Sequence, residues 1–182
     1  MYLKLKTIVK LALDVIRRKE KFEFFRFILA EIVTGVIYPK YKFSEYGRSF
    51  LEDDEFISLF KSLVRGDNFH ALDRKFVLNQ LLNVVASAPG DTVECGVFEG
   101  ASSYLICRRI QGLGKEHHVF DSFEGVSQPG ALDGSHWQKG SLSCGIDAVA
   151  RRLQEFPFVR LHKGWIPVRF GEVANRRFCF VH

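Results

Sequence analysis

Between residues 91 and 181 the sequence alternates short apolar runs with segments of helical spacing, and this alternation constrains the fold more than any other feature. The predicted strands comprise residues 92–97, 118–121, 158–161 and 178–181, and the predicted helices 101–110 and 146–156, with a short helical or irregular piece at 168–173. Strands that alternate with helices indicate a parallel sheet with crossover helices. We therefore predict an α/β fold that binds a ligand at the carboxyl ends of its strands.

The residues before the sheet show helical patterns, at 1–38, 52–64 and 73–86. Pro39 ends the first helix because proline cannot continue it, and Asp73 is expected to cap the third. Residues 122–145 form a long loop rich in Gly, Ser, Pro and Asp. Loops of this length are more often functional than decorative.

The net charge of +5 belongs to the N-terminal segment. Residues 1–26 carry eight Lys or Arg and three acidic side chains, so the remaining chain is neutral overall. A neutral domain gives little support for nucleic-acid binding. The basic segment also has an apolar stripe, which favours either peripheral contact with an anionic membrane or packing of this helix on its own domain.

The sequence shows neither a signal peptide nor a membrane span. Its most apolar stretch, residues 27–38, is interrupted by Glu31 and is too short to cross a bilayer. The cysteines lack CxxC pairing and zinc-ligand spacing. We expect reduced, mostly buried thiols in a cytoplasmic protein, at Cys95, Cys107, Cys144 and Cys179.

Two glycines, Gly96 and Gly100, span the turn between the first predicted strand of the sheet and the helix that follows. Gly96 allows a sharp turn close to a ligand, and Gly100 allows the helix to start near the strand. Asp121, at the end of the second predicted strand, can accept hydrogen bonds from both hydroxyls of a ribose. GxGxxG and GK[ST] patterns are absent, so the turn is neither a dinucleotide fingerprint nor a phosphate loop. The combination indicates nucleoside binding, with a tight turn without a ligand as the alternative.

Glu94 lies on the first predicted strand, just before this turn. A carboxylate here would repel a phosphate but would suit an ammonium or a sulfonium group. The alternative is a structural pair with a nearby Lys or Arg.

Other polar residues are weaker candidates. His117 and His118 suggest a metal, but neighbouring residues of a strand point to opposite faces, so we expect a solvated turn. His136 and Trp137, in the long loop, could contact an acceptor substrate or belong to a plain loop. The arginine pairs at 108–109 and 151–152 are expected on solvated helix faces.

Four segments resemble the macrocin O-methyltransferase (TylF-type) family. Residues 93–100 (VECGVFEG) match its cofactor turn, residues 120–125 (FDSFEG) match its xDSFEG segment, and residues 163–167 (KGWIP) match its kGWxP segment. Residues 178–182 (FCFVH) are similar to the start of its fourth strand. The resemblance covers residues 66–182, so the expected organisation is an N-terminal helical extension (1–65) and a partial methyltransferase domain (66–182).

The resemblance implies a Rossmann-like fold that transfers a methyl group from S-adenosylmethionine to a hydroxyl. Glu94, Gly96 and Gly100 would hold the amino-acid part of the cofactor, and Asp121 its ribose. Gly164 and Trp165 would lie near the adenine, although a core position is the alternative for Trp165. The residues implied to bind the cofactor are Glu94, Gly96, Glu99, Gly100, Ser102, Asp121, Ser122, Phe123, Gly164 and Trp165.

In the family, Mg²⁺ ligands and the base follow the fourth and fifth strands. We therefore expect a fold truncated after the fourth strand, an inactive chain, catalytic residues beyond His182 and no metal ligand within residues 1–182. The implied acceptor is a sugar, a polysaccharide or a glycosylated natural product, and a homo-oligomer is compatible with the resemblance. The alternatives are a non-catalytic nucleoside- or S-adenosylmethionine-binding module acting with a partner chain, and a structural or membrane-surface protein.

Overall fold

The computed structural model describes residues 21–37, 49–64, 70–134 and 136–182. The chain divides into two compact units, Met1–Phe76 and Val77–His182. The predicted domain boundary between residues 65 and 66 stays a prediction. Of the helix predicted at residues 1–38, residues 21–37 are helical, and residues 1–20 and 38 lie outside the described residues.

The described part of the first unit is helical. Its elements are α1 (Lys21–Ile37), a short 3-10 helix (Ser49–Glu52), α2 (Asp54–Leu63) and the start of α3 (Leu72–Val85). Aromatic side chains dominate its core: Phe27 and Phe50 pack edge to face with ring centroids 5.9 Å apart, and Phe56 and Phe76 do so at 5.3 Å. Aromatic pairs in this geometry stabilise a core beyond the area that they bury.

Two helix starts differ from the sequence prediction. Helix α2 begins at Asp54 rather than at residue 52, because the Asp53 carboxylate caps it and accepts a hydrogen bond from the Phe56 amide at 2.8 Å. The prediction that Asp73 caps the third helix is wrong. Asp73 lies inside the first turn of α3, where a carboxylate still interacts favourably with the helix dipole.

Helix α1 carries an apolar stripe that is exposed. Phe22, Phe25, Leu29 and Val36 follow helical spacing, and more than half of each side chain is accessible. No helix among the described residues is long and apolar enough to cross a membrane. Peripheral contact through residues 1–26 stays a prediction, which co-sedimentation with anionic vesicles at low and high salt would test.

The second unit contains a parallel four-stranded sheet, which confirms the predicted α/β, Rossmann-like fold class. The strands are β1 (Asp91–Cys95), β2 (His117–Asp121), β3 (Val159–Lys163) and β4 (Phe178–Val181). Their order is β3-β2-β1-β4, so β4 lies beside β1. Helix α4 (Ala101–Ile110) connects β1 to β2, and α5 (Ile146–Arg152) precedes β3. The strand order reverses at β1, and open α/β sheets bind ligands at such a point.

Alternating side chains of the strands supply two apolar layers. Val119 faces a core with Val97, Cys107 and Val149. Its neighbour Phe120 faces the opposite side, where Val93 and Val173 are buried with it. Both faces of the central strands are therefore covered, as is usual for parallel sheets.

The structure corrects several sequence predictions. His117 and His118 are buried in β2, not solvated, because this strand starts one residue earlier than predicted. Helix α5 ends at Arg152 rather than at residue 156, and Leu153 caps it through its amide, which donates to the Val149 carbonyl. All four cysteines are free, as predicted, but only Cys107 is fully buried and Cys95 is exposed.

Candidate functional site

The turn after β1 depends on the two glycines that the sequence singled out. Gly96 has φ +94° and Gly100, which caps α4, has φ +82°, and both values favour glycine. A Cβ atom built on Gly96 would have nothing within 4 Å. The backbone angle, rather than crowding, therefore requires glycine at residue 96, and open space lies in front of this turn.

Asp121, the last residue of β2, is fixed by two backbone amides. Its Oδ2 accepts a hydrogen bond from the Val97 amide and its Oδ1 accepts one from the Phe123 amide, both at 2.6 Å. Its backbone carbonyl accepts from the Gly164 amide at 2.9 Å. The carboxylate therefore joins the turn after β1 to the turn after β2 and cannot rotate freely.

A cavity of about 320 Å³ opens at the carboxyl ends of these strands. Four of the predicted site residues line it, namely Gly96, Asp121, Ser122 and Trp165. The other lining residues are Phe98, Gly125, Val126, Leu142 and Ile166. Among the described residues that line the cavity, Asp121 alone is ionisable. Trp165 is 46% exposed, so it is not the core aromatic that the alternative reading expected.

Sequence reasoning missed several residues of the site that have unusual backbone angles. Phe98 and Leu142 line the cavity with φ values of +47° and +60°, which non-glycine residues rarely adopt. Gly125 has φ +78°, and a Cβ atom there would lie 2.5 Å from the Ser141 carbonyl oxygen. Strained backbone of this kind concentrates at functional sites. Of these three residues, only Gly125 is of a type that suggests a positive φ from the sequence. Because the surrounding loop is rich in glycine, its residue type does not single it out.

Six predicted site residues do not line the cavity. Phe123 packs in the core with Val97 and Val119, and Ser102 is buried in the first turn of α4. Gly164 contributes indirectly, because its amide donates a hydrogen bond to the Asp121 backbone carbonyl. The remaining three residues are Glu94, Glu99 and Gly100.

Glu94 belongs to a buried polar network instead. It is 1% exposed, accepts a hydrogen bond from the Ser103 hydroxyl, and lies 3.1 Å from Nδ1 of His182. The His117 ring joins the network, with Nε2 3.0 Å from Ser103 Oγ and Nδ1 2.9 Å from Thr92 Oγ1. Burial lowers the pKa of His117 to about 4, although Glu94 opposes this shift. These hydrogen bonds join Glu94 to Ser103 and His182, whereas the alternative expected a Lys or Arg partner.

The remaining sequence candidates lie elsewhere. His136 and Trp137 contact each other edge to face with centroids 4.7 Å apart, and neither lines the cavity. Arg108, Arg109 and Arg151 are exposed, as predicted for solvated helix faces, and Arg152 is partly exposed.

No protein-family model matches the chain, and no curated protein matches it either. Among solved structures, the chain is similar to an O-methyltransferase from Bacillus cereus in complex with SAH, with 10% sequence identity and a TM-score of 0.41. The match covers 82% of this chain and 56% of the other, so the chain spans little more than half the length of that protein.

Proposed function

We propose that the Val77–His182 unit binds S-adenosylmethionine at the carboxyl ends of its strands, as the cofactor-binding part of an O-methyltransferase. One observation carries this proposal. A single cavity brings together four residues from three sequence motifs, Gly96, Asp121, Ser122 and Trp165. These are the motifs that resemble the macrocin O-methyltransferase family.

Asp121 is suited to a ribose. An ionised carboxylate has about four lone-pair sites, and the Val97 and Phe123 amides occupy one on each oxygen. About one site on each oxygen is left for a ribose hydroxyl. Because the two amides already orient the carboxylate, binding does not have to order it.

The other lining residues suit the rest of the cofactor. Trp165, Ile166 and Leu142 provide apolar surface for the adenine. Since Asp121 is a carboxylate, the cavity favours a ligand with positive charge over a phosphate. A sulfonium with an amino-acid ammonium meets this requirement. The acceptor, in this proposal, is a hydroxyl of a sugar, a polysaccharide or a glycosylated natural product.

The lining residues do not fit a magnesium ion. A Mg²⁺ site takes one or two carboxylates that face the ion. Asp121 is the one carboxylate among the described lining residues, and in this proposal the lone pairs that its two amides leave free bind the ribose hydroxyls. We therefore derive no step through magnesium in this cavity.

Calorimetric titration of the chain with S-adenosylmethionine and S-adenosylhomocysteine tests the proposal. Asp121→Ala should weaken binding roughly 10- to 100-fold, since charge-assisted hydrogen bonds contribute about 1.5–3 kcal/mol. Asp147→Asn, on the exposed face of α5, is the matched control and should bind normally. Equal affinity of the Asp121→Ala and Asp147→Asn variants would remove Asp121 from the site.

Trp165 gives an independent readout. The chain has two tryptophans, so Trp137→Phe leaves Trp165 as the only one. We expect its fluorescence to change when S-adenosylmethionine binds, because the ring lies at the cavity. An unchanged signal at saturating cofactor would contradict this placement.

One observation favours the second candidate, a non-catalytic binding module that acts with a partner chain. The one ionisable side chain among the lining residues already holds two amides, so it is poorly placed to accept a proton from an acceptor hydroxyl. Transfer of a labelled methyl group to sugar acceptors, with magnesium present, separates the candidates. Binding without turnover supports the module, and turnover supports the enzyme.

A further inference from the structure

A second cluster of polar side chains lies at the opposite edge of the sheet, where β1 and β2 begin. Asp91 opens β1, while Glu116 and His118 flank His117, the first residue of β2. Parallel pairing of Thr92 with His117 brings the three side chains together. One carboxylate oxygen from each acid and one ring nitrogen of His118 all lie within 4.8 Å of one another.

His118 directs an unpartnered nitrogen into this cluster. Its side chain is almost fully buried. Its Nε2 lies 3.9 Å from Asp91 Oδ2 and 3.8 Å from Glu116 Oε2, and it has no hydrogen-bond partner among the described residues. These distances are too long for hydrogen bonds but short enough for two ligands of one ion. Buried polar atoms rarely lack a partner, so this nitrogen needs an explanation.

The hydrogen bonds behind His118 indicate which of its ring nitrogens carries the proton when the ring is neutral. Nδ1 of His162 lies 2.5 Å from Glu172 Oε2, and since a carboxylate can only accept, His162 donates from Nδ1. Its Nε2 then accepts from Nδ1 of His118 at 3.0 Å. In the neutral ring this leaves a lone pair on His118 Nε2, which faces two carboxylates. Histidines that ligate metals are held in the same way, with the other ring nitrogen donating to an outer partner.

Arg176 partly neutralises the two acids. Its guanidinium nitrogens lie 3.2 Å from Asp91 Oδ2 and 2.7 Å from Glu116 Oε2, and Arg160 lies 2.6 Å from the other Glu116 oxygen. Arg176 does not satisfy the His118 nitrogen, which still lacks a partner. Its side chain is 45% exposed, so it can turn towards solvent when another cation takes its place.

We infer that Asp91, Glu116 and His118 form a binding site for a divalent cation of the zinc type, with Arg176 paired to the two acids when the ion is absent. One imidazole nitrogen with two carboxylate oxygens suits zinc, whereas Mg²⁺ and Ca²⁺ prefer oxygen ligands alone. Three protein ligands leave the fourth tetrahedral position to water. The inference departs from the sequence expectation that this chain contains no metal ligand.

Titration of the metal-free full chain with zinc chloride, followed by calorimetry, tests the site. We expect one high-affinity ion per chain, loss of this binding in His118→Asn, and roughly 10-fold weaker binding in His162→Gln, which removes the outer partner. His136→Asn, in the exposed loop, is the matched control and should bind like the unmodified chain. Equal affinity of His118→Asn and His136→Asn would overturn the inference.

Arg176→Met distinguishes a metal site from a structural ion-pair cluster. Removal of the competing guanidinium should raise zinc affinity at least several-fold, whereas an ion-pair cluster would lose stability and gain no affinity. Zinc-edge X-ray absorption of the His136→Asn chain keeps the test valid if His118→Asn fails to fold. One imidazole nitrogen and oxygen ligands at about 2.0–2.2 Å support the site. A sulfur shell at about 2.3 Å, or a shell without imidazole, would contradict it.

Discussion

The two edges of the sheet are built from the same strands by different means. At the carboxyl edge, backbone makes the site: glycine turns, amides bound to Asp121, and residues with positive φ surround a cavity. At the amino edge, side chains make it: Asp91, Glu116 and His118 converge with Arg176 beside them. The difference teaches that a site made by local backbone leaves a motif in the sequence, whereas a site made by strand register does not.

The largest expected effect is a loss of stability at acid pH, caused by His117 at the amino edge. Its pKa is about 4 in the folded protein and about 6.5 in the unfolded chain, because burial disfavours the charged ring. The unfolded chain therefore binds more protons between these values. The contribution to the free energy of unfolding is fully present above pH 6.5 and is lost as pH falls towards 4, by about 3 kcal/mol in all. The pKa of His118 is also lowered, first by burial and then by His162, so its contribution has the same sign.

Urea unfolding at pH 7, 6 and 5 would measure this loss. His117→Asn should be less stable at pH 7 but should show a flatter dependence on pH. His136→Asn, the exposed control, should keep the slope of the unmodified chain. If His117→Asn keeps that slope as well, His117 does not control the acid sensitivity, and the amino edge contributes less to stability than we expect.

The next largest effect comes from the carboxyl edge, where two glycines with positive φ differ in their surroundings. Gly125→Ala should destabilise the fold by about 2 kcal/mol or more, since its Cβ would press on the Ser141 carbonyl in addition to the backbone strain. Gly96→Ala should cost about 1 kcal/mol, because strain alone acts there. Urea midpoints compare the pair. Equal losses would mean that crowding at residue 125 is relieved by loop movement.

The smallest effect concerns the exposed ion pair between Arg160 and Glu116. Its atoms are 2.6 Å apart, but half of the Arg160 side chain is exposed, so solvent screens the pair. Arg160→Gln should change the free energy of unfolding by less than about 1 kcal/mol, and less again at high salt. A larger loss, independent of salt, would show that the amino edge depends on this outer pair and would weaken the case for a displaceable Arg176.

The carboxyl edge could be predicted because its signals are local. Gly96 and Gly100 lie four residues apart in a strand-to-helix turn, and Asp121 ends the next strand. Phe98 and Leu142 could not be predicted, because nothing in a sequence marks a non-glycine residue that adopts positive φ. Phe123 was expected to bind the cofactor but packs in the core, since a motif fixes the order of residues but not the direction of a side chain after a turn.

The amino edge could not be predicted because its residues meet only through pairing. Asp91 is distant in sequence from Glu116 and His118, and the β1–β2 register decides which side chains become neighbours. The rule that adjacent strand residues face opposite sides was sound. It separates His117, in the Glu94 network, from His118, in the acidic cluster. The prediction of a solvated turn was wrong because it placed the start of β2 one residue late.

Strand β2 also limits how this sequence can change in length. Five residues, from His117 to Asp121, connect the two edges, and every one is paired with a neighbour in β3. An inserted or deleted residue would reverse the facing of all side chains beyond it. If the start of β2 kept its register, Asp121 would lose its partners. If the end of β2 kept its register, the histidines would lose theirs. Insertions should therefore be accepted in the exposed parts of the 122–145 loop and rejected within β2, so the five-residue length of β2 fixes the spacing between the two edges.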